Sequence, residues 1–302
     1  MDLPSDDSLR WLVSTYARLR ARYGEAIGAP VAVQPTGEFF PDEFKLDAPS
    51  IERLLRRMIR YSPVADDLGL ELVFVAPEEG GAGGGCGSSA CGAGGGRSVL
   101  RSVQELDDGY RVLVPAADVR NPELLTTSLA RAVGALVLAE AGEEVDAGED
   151  ELAAVACGFG VLLANGAAVW AKSCGGLRMA QATSLSVEEL TVALALFLAV
   201  HGQRMPRAHL GATQREALDL ATAWVESNPL LVETLRDRPA ALEKGLFDLE
   251  PVRGLLGRWM HRRKLEKELS APAAPAPAPL SDDKRRRLAE ARALVDEVLG
   301  TE

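Results

Sequence analysis

Histidine is nearly missing from this sequence. There are three in 302 residues, His201, His209 and His261, and none stands in the His-x-x-x-His spacing that sets two imidazoles on one helix face. No local motif therefore encodes a histidine-built zinc site. Cysteine is scarce as well: four in a chain of this size do not make a disulfide framework. Two of them, Cys157 and Cys174, fall in or near apolar helical sequence, where buried thiols are expected. Aromatics amount to 5% against 47% hydrophobic residues overall. The core must then be built from Ala, Leu and Val, which suit helix-on-helix packing better than a β-sandwich. Positive charge is in deficit, since 33 Lys and Arg against 44 Asp and Glu leave −11. That balance repels a phosphate backbone and speaks against nucleic acid as a general partner. No uncharged apolar run reaches the length of a membrane span, and the opening "MDLPSDDSLRWL" is acidic and lacks a signal-type apolar stretch. The expectation is a soluble, cytoplasmic protein with no membrane span.

What is present reads mostly as helix. "SLRWLVSTYARLRARYG" (8–24) spaces Leu9, Leu12, Val13, Tyr16 and Leu19 helically and stops at Gly24. The prolines of "APVAVQPTGEFFPDEF" (29–44) suit an extended segment that packs without regular pairing. "DAPSIERLLRRMIRYS" (47–62) follows as a second helix, with Ser50 as its apparent start. "GLELVFVAP" (69–77) alternates as a strand, and "SVLRSVQEL" (98–106) and "YRVLVPAA" (110–117) flank a turn at Gly109, which makes a hairpin. These three segments predict a small antiparallel sheet. From 122 onward the pattern is helical over 122–142, 149–173, 186–202 and 213–227. The second and third of these are apolar almost all round, as enclosed core helices are. Shorter helices punctuated by Pro239, Gly245 and Pro251 continue over 228–269.

Three stretches stand apart from this body, which spans 1–269. Residues 78–97 are dominated by glycine, and ordering so many glycines is entropically costly without a ligand, so the segment reads as a flexible loop. Residues 270–281, "SAPAAPAPAPLS", form an Ala/Pro linker that favours extended polyproline geometry. Residues 282–302 restart an amphipathic tail helix, which docks on its own body, a sister chain or another protein. The basic clusters at 18–24, 53–61, 258–267 and 283–292 read as solvated helix faces.

The succession "PTGEFFPDEF", helix, strand, glycine-rich insert, hairpin, then "LARAVGALVL" and "DELAAVACGFGVLLANG" resembles a family of uncharacterised bacterial proteins with a zinc-metallopeptidase-like domain. The likeness covers about residues 35 to 225, with "EFFPD" and "GFGVLLANG" its most specific pieces. In that family the helix after the hairpin carries His-Glu-x-Gly-His, and the next helix opens on an acidic residue. Two histidines four apart chelate Zn²⁺, the glutamate is general base to the metal-bound water, and a side chain from another helix completes the site. Laid on this chain, the resemblance puts the histidine positions on Arg131 and Ala135 and the glutamate on Ala132, while Gly134 stays glycine and Glu151 takes the acidic position. Both ligands and the base are gone. The simpler reading of Glu151 is a first-turn acid beside Glu149 and Asp150, favoured by the helix dipole. The alternative is an ion pair with Arg131 that fills the vacated site and spares Glu151 an unpaired burial.

Other chemistry is poorly supported. Cys86 and Cys91, with four residues between them in the glycine loop, make a free or transiently oxidised pair more readily than a metal site, because a zinc ribbon needs a second close pair. "GFGVLLANG" lacks the preceding strand of a dinucleotide fingerprint, and "GGAGGGCG" lacks the Gly-Lys-Ser/Thr of a phosphate loop. "ATSLS" (182–186) has hydroxyls but neither a nucleophile elbow nor a histidine beside it. The sequence thus predicts a mainly helical α+β protein with a small sheet on a metallopeptidase-like bundle. Its expected function is non-catalytic, binding or scaffolding a protein or peptide, with no cofactor. Two other readings remain open: an atypical metal-dependent hydrolase using Glu151 with Cys or His ligands, and a regulatory adaptor acting through the tail helix.

Overall fold

The computed structural model describes residues 2–76, 102–173, 176–204, 207–252 and 254. The chain divides into two units, Met1–Arg258 and Trp259–Glu302, and the first is described here. The glycine loop with Cys86 and Cys91, together with Cys174, His261, the Ala/Pro linker and the tail helix, lies outside the described residues.

Helix α1 (Asp6–Ile27) is capped by Ser5, whose hydroxyl accepts from the Ser8 N–H, and buries Leu9, Leu12, Val13, Tyr16 and Leu19 as its spacing predicts. The stretch that follows joins no strand, as expected, but it is extended only as far as Gln34 and then turns, with the Phe39 and Phe40 N–H groups donating to Thr36 O. It is pinned by Val33 N–H to Gly158 O at 2.9 Å and by Gln203, which bonds both Ala32 N–H and Pro30 O. Helix α2 (Ala48–Ile59) begins earlier than Ser50. Asp47 is the cap, accepting from Ser50 N–H at 2.9 Å, and a proline sits in the first turn where its missing N–H costs nothing.

Strands β1 (Leu70–Val75), β2 (Val103–Leu106) and β3 (Gly109–Pro115) form a sheet in the order β1-β3-β2. The β2–β3 hairpin is antiparallel as predicted, but β1 pairs parallel to β3, so the sheet is mixed. Strand β2 runs opposite to both β1 and β3, so it is β2 that carries the chain back to the start of β3 and makes the β1–β3 pairing parallel. Helix α3 (Pro122–Glu140), capped by Asn121, packs against this sheet and against α2. Among the described residues it alone is long and apolar enough to cross a membrane, and 78% of that stretch is buried inside the protein. It is a core helix.

The predicted helix over 149–173 is in fact three elements: α4 (Glu149–Ala156), α5 (Gly160–Gly166) and strand β4 (Val169–Ser173), which pairs antiparallel with β5 (Gly176–Ala180). The break falls at Gly158, with φ +102°, where an added Cβ would lie 2.1 Å from Val31 O. Only glycine combines that backbone conformation with so close an approach of the extended segment. Helix α6 (Val187–His201) starts on a full capping box between Ser186 and Glu189 and is buried on almost every face. Helices α7 (Ala212–Ser227) and α8 (Pro229–Asp237) and a short 3₁₀ turn, Pro239–Leu242, close the body. The protein is therefore mainly helical α+β, with a main core that draws on residues from Leu9 to Leu242 and a small separate cluster of Leu124, Val169 and Ala182.

Candidate functional site

Helices α3 and α4 meet at a point set by Gly134. A Cβ there would lie 1.9 Å from Asp150 O and 2.8 Å from Ala154 N, so a hydrogen in that place lets the two backbones nearly touch. One turn before this contact stands Arg131, the only cation of α3, and opposite it is the acidic first turn of α4, Glu149–Asp150–Glu151. Successive helical residues are turned by about 100°, and the three acids separate accordingly. Glu149 turns toward Arg18 of α1, while Asp150 and Glu151 both face Arg131.

The resulting triad is deeply buried, with side-chain exposures of 9%, 5% and 0% for Arg131, Asp150 and Glu151. Arg131 Nη2 donates to Asp150 Oδ2 at 2.9 Å and Nη1 to Ala182 O at 3.1 Å. Its Nε lies 3.0 Å from Glu151 Oε1, a charge contact that is not an aligned hydrogen bond. Glu151 is further held by two backbone donors, Ser184 N–H at 2.5 Å and Leu185 N–H at 3.0 Å. Those amides lead directly into the Ser186 cap of α6. The two readings of Glu151 are thus both observed: it is a first-turn acid and the partner of Arg131.

The charges do not balance, because one guanidinium faces two carboxylates. Burial pushes the Asp150 carboxyl up, outweighing the opposing pull of Arg131. Burial likewise pushes Glu151 up to about 7, with Asp150 adding to it and Arg131 and the two amides opposing. Three buried polar atoms here have no hydrogen-bond partner: Arg131 Nε, Asp150 Oδ1 and Ser184 Oγ.

A cavity of about 480 Å³ opens beside the triad. Arg131, Asp150 and Ser184 stand at its polar end, Ala135 and Ala139 continue along α3, and Glu105, Glu144 and Asp146 lie toward solvent. Glu143 also lines it but is occupied by Arg18, Arg22 and the Tyr23 hydroxyl. Of the positions singled out in the sequence, the structure brings Arg131, Ala135 and Glu151 together around this place. Ala132 does not join them and is fully buried in the hydrophobic core. Asp150 and Ser184 carry the site as much as Glu151 does. The run of three acids after Gly148 was the available signal for Asp150.

The described histidines and Cys157, which could have rebuilt a metal centre, lie elsewhere. His201 ends α6 beside Arg20 and Arg236, and burial with those two cations pulls it down to about 4, so it is a neutral imidazole. His209 lies in a 3₁₀ turn, where its carbonyl accepts from Asn165. Cys157 is buried as expected, its thiol pushed up to about 12 by desolvation. Among the described residues no three His, Cys, Asp or Glu side chains are grouped to hold a metal ion. The donor set around Arg131, two carboxylates already engaged by a guanidinium and backbone amides, does not fit a zinc ion. No known protein-family model, curated protein or solved structure matches the chain.

Proposed function

We propose that this chain is a non-catalytic relative of zinc metallopeptidases that binds a peptide or protein segment and does not cleave it. A fixed guanidinium stands in for the dication, and the cavity beside it is the retained binding place. The observation that carries the reading is the Arg131–Asp150–Glu151 triad. A positive charge sits where the resemblance puts the first metal ligand, and both oxygens of the acid that would have completed the site are committed to Ser184 and Leu185. Among the described residues the cavity lining offers no histidine or cysteine to act as base or nucleophile. A cytoplasmic location and action as a scaffold belong to the same reading.

Metal analysis of the purified full chain, paired with a peptide-hydrolysis assay, is the test. The expected result is no stoichiometric zinc and no chelator-sensitive cleavage. Stoichiometric zinc that is lost in Glu151→Gln would overturn the proposal in favour of the metal-dependent hydrolase. The triple change Arg131→His, Ala132→Glu, Ala135→His probes the ancestry. If the resemblance holds, it creates a zinc affinity that the parent chain lacks.

A further inference from the structure

We infer that the β4–β5 hairpin docks an acidic peptide segment, which adds to it as a further strand and lays apolar side chains on Trp170 and Met179. These two residues stand opposite each other across the strands and are 60% and 56% exposed, while Trp224 is enclosed in the core. The neighbouring pair, Val169 and Ala180, takes the other face and packs with Leu124 and Ala182. That inner face anchors the hairpin, and the outer pair is left to solvent. Tryptophan and methionine are side chains that protein interfaces favour. β4 and β5 form a sheet of two strands, and among the described residues no further strand lies on either edge. The outward N–H and C=O groups of such edges are a template for another extended backbone. No described residue of either strand lines the cavity beside Arg131, so the inference stands apart from the function proposed for that cavity.

Charge selects the occupant. In a chain of net charge −11, acids are absent from residues 152–187 and again from 190–215, and those stretches hold Lys172, Arg178, Arg204, Arg207 and Arg215. The fold ties the two stretches together beside the hairpin. Asn165 donates to His209 O and accepts from the Gly211 N–H, and Gln214 donates to Ala168 O at 3.2 Å, one residue before β4. Arg204, Arg207 and Arg215 are exposed, and among the described residues only Arg207 has a carboxylate against it, Asp219 at 2.6 Å. Glu188 and Glu189, which separate the two stretches in sequence, border a hollow with Asp2 and Ser8. Glu123, next to Leu124 under the hairpin's base, is an acid that adjoins the surface, so cations outnumber acids there. An extended acidic peptide supplies apolar side chains, negative charge and a backbone for the open edge together. Nucleic acid and anionic lipid bring charge without amides for that edge, and a second copy of the hairpin brings like charge to like.

The test is fluorescence anisotropy of labelled, capped peptides of about six residues, the usual strand length, titrated with the intact chain. A peptide alternating glutamate and valine is expected to bind at least about tenfold more tightly than its lysine and valine counterpart, a preference that should shrink at high salt. N-methylation of every second amide blocks the edge bonds in one of its two phases, and that phase should cost about tenfold or more. Trp170→Ala should weaken the acidic peptide by about tenfold or more. Lys172→Glu, which keeps the tryptophan, should weaken it as well and carries the test if Trp170→Ala fails to fold. Equal binding of the two peptides, binding of neither, both N-methylated phases binding like the parent, or full affinity in a folded Trp170→Ala or Lys172→Glu protein overturns the inference. Tighter binding of oligothymidylate, or of vesicles of equimolar phosphatidylserine and phosphatidylcholine, that is lost in Trp170→Ala overturns it in favour of nucleic acid or membrane. A dimer in sedimentation that Trp170→Ala dissolves overturns it in favour of a second copy.

Discussion

Two arginines in this protein each bridge two carboxylates, and the first turn of α4 serves both. Arg18, on α1, reaches Glu143 and Glu149 at 2.6 Å each and is 35% exposed. Arg131, on α3, meets Asp150 and Glu151 at similar distances and is 9% exposed. In the first cluster burial works against the arginine's charge, but the contacts with Glu149 and Glu143 outweigh it and its pKa is raised. In the second, burial outweighs the pairing, and both acids are pushed up. Arg22 also pairs with Glu143, so the first cluster sets two cations, both partly open to solvent, against two acids, whereas the second sets one buried cation against two. The buried cluster consequently recruits Ala182 O, Ser184 N–H and Leu185 N–H, which the exposed one does not need. It is also the one beside a cavity.

The largest expected effect comes from breaking the buried cluster. Arg131→Ala leaves Asp150 and Glu151 facing each other without a cation, and removing one partner of a buried ion pair costs about 3–5 kcal/mol. Urea denaturation at pH 8, where the acids are most ionised, should show a loss of that size. A loss no larger than that of an exposed pair would mean the cluster is not desolvated in solution. Gly134→Ala attacks the same place through the backbone. Its methyl would land 1.9 Å from Asp150 O, so α3 and α4 must part, at a cost of about 3 kcal/mol. The variant should retain helical circular dichroism while its unfolding midpoint falls.

The pH dependence sharpens the contrast. A carboxyl whose folded pKa lies above its unfolded value binds protons more tightly in the native state, so stability falls as pH rises through the window between the two. For Glu151 that window runs from 4.5 to about 7, and the shift corresponds to at most about 3 kcal/mol. Asp150, raised as well, adds in the same direction. Glu151→Gln should therefore flatten the decline in denaturation free energy across this window. An equally steep decline in the variant would place its origin elsewhere.

Much of the fold was legible because periodicity and caps are local. The apolar spacing of α1, the Ser186–Glu189 capping box and the Pro122 start of α3 need only neighbouring residues to be read. What could not be read depends on residues far apart in the chain. The parallel pairing of β1 with β3 is decided by which strand of the distant hairpin docks beside β1, and the turn at Gly158 by the approach of Val31. The candidate site divides along the same line. Arg131 and Glu151 were reachable through the resemblance. Which of three consecutive acids faces inward is set by the rotation of α4 against α3, and so Asp150 was missed. The hydroxyls of 182–186 are read in the sequence only for nucleophile chemistry, and the place of Ser184 beside the cavity appears only when the segment before α6 is docked.

The smallest effect completes the comparison. Arg18→Ala removes contacts to Glu143 and Glu149, but Arg22 and the Tyr23 hydroxyl still hold Glu143, and Glu149 keeps its place near the N-terminal dipole of α4. A loss of about 1 kcal/mol or less is therefore expected. Because its arginines are 35% and 49% exposed, the loss should shrink further at about 1 M salt, where the screening length is about 3 Å. The loss in Arg131→Ala should persist more fully at that salt, since the three side chains of the triad are 9% exposed or less. If salt instead erases both losses alike, the two clusters are equivalent in solution, and the unmatched carboxylate oxygen of Asp150 is already satisfied by water.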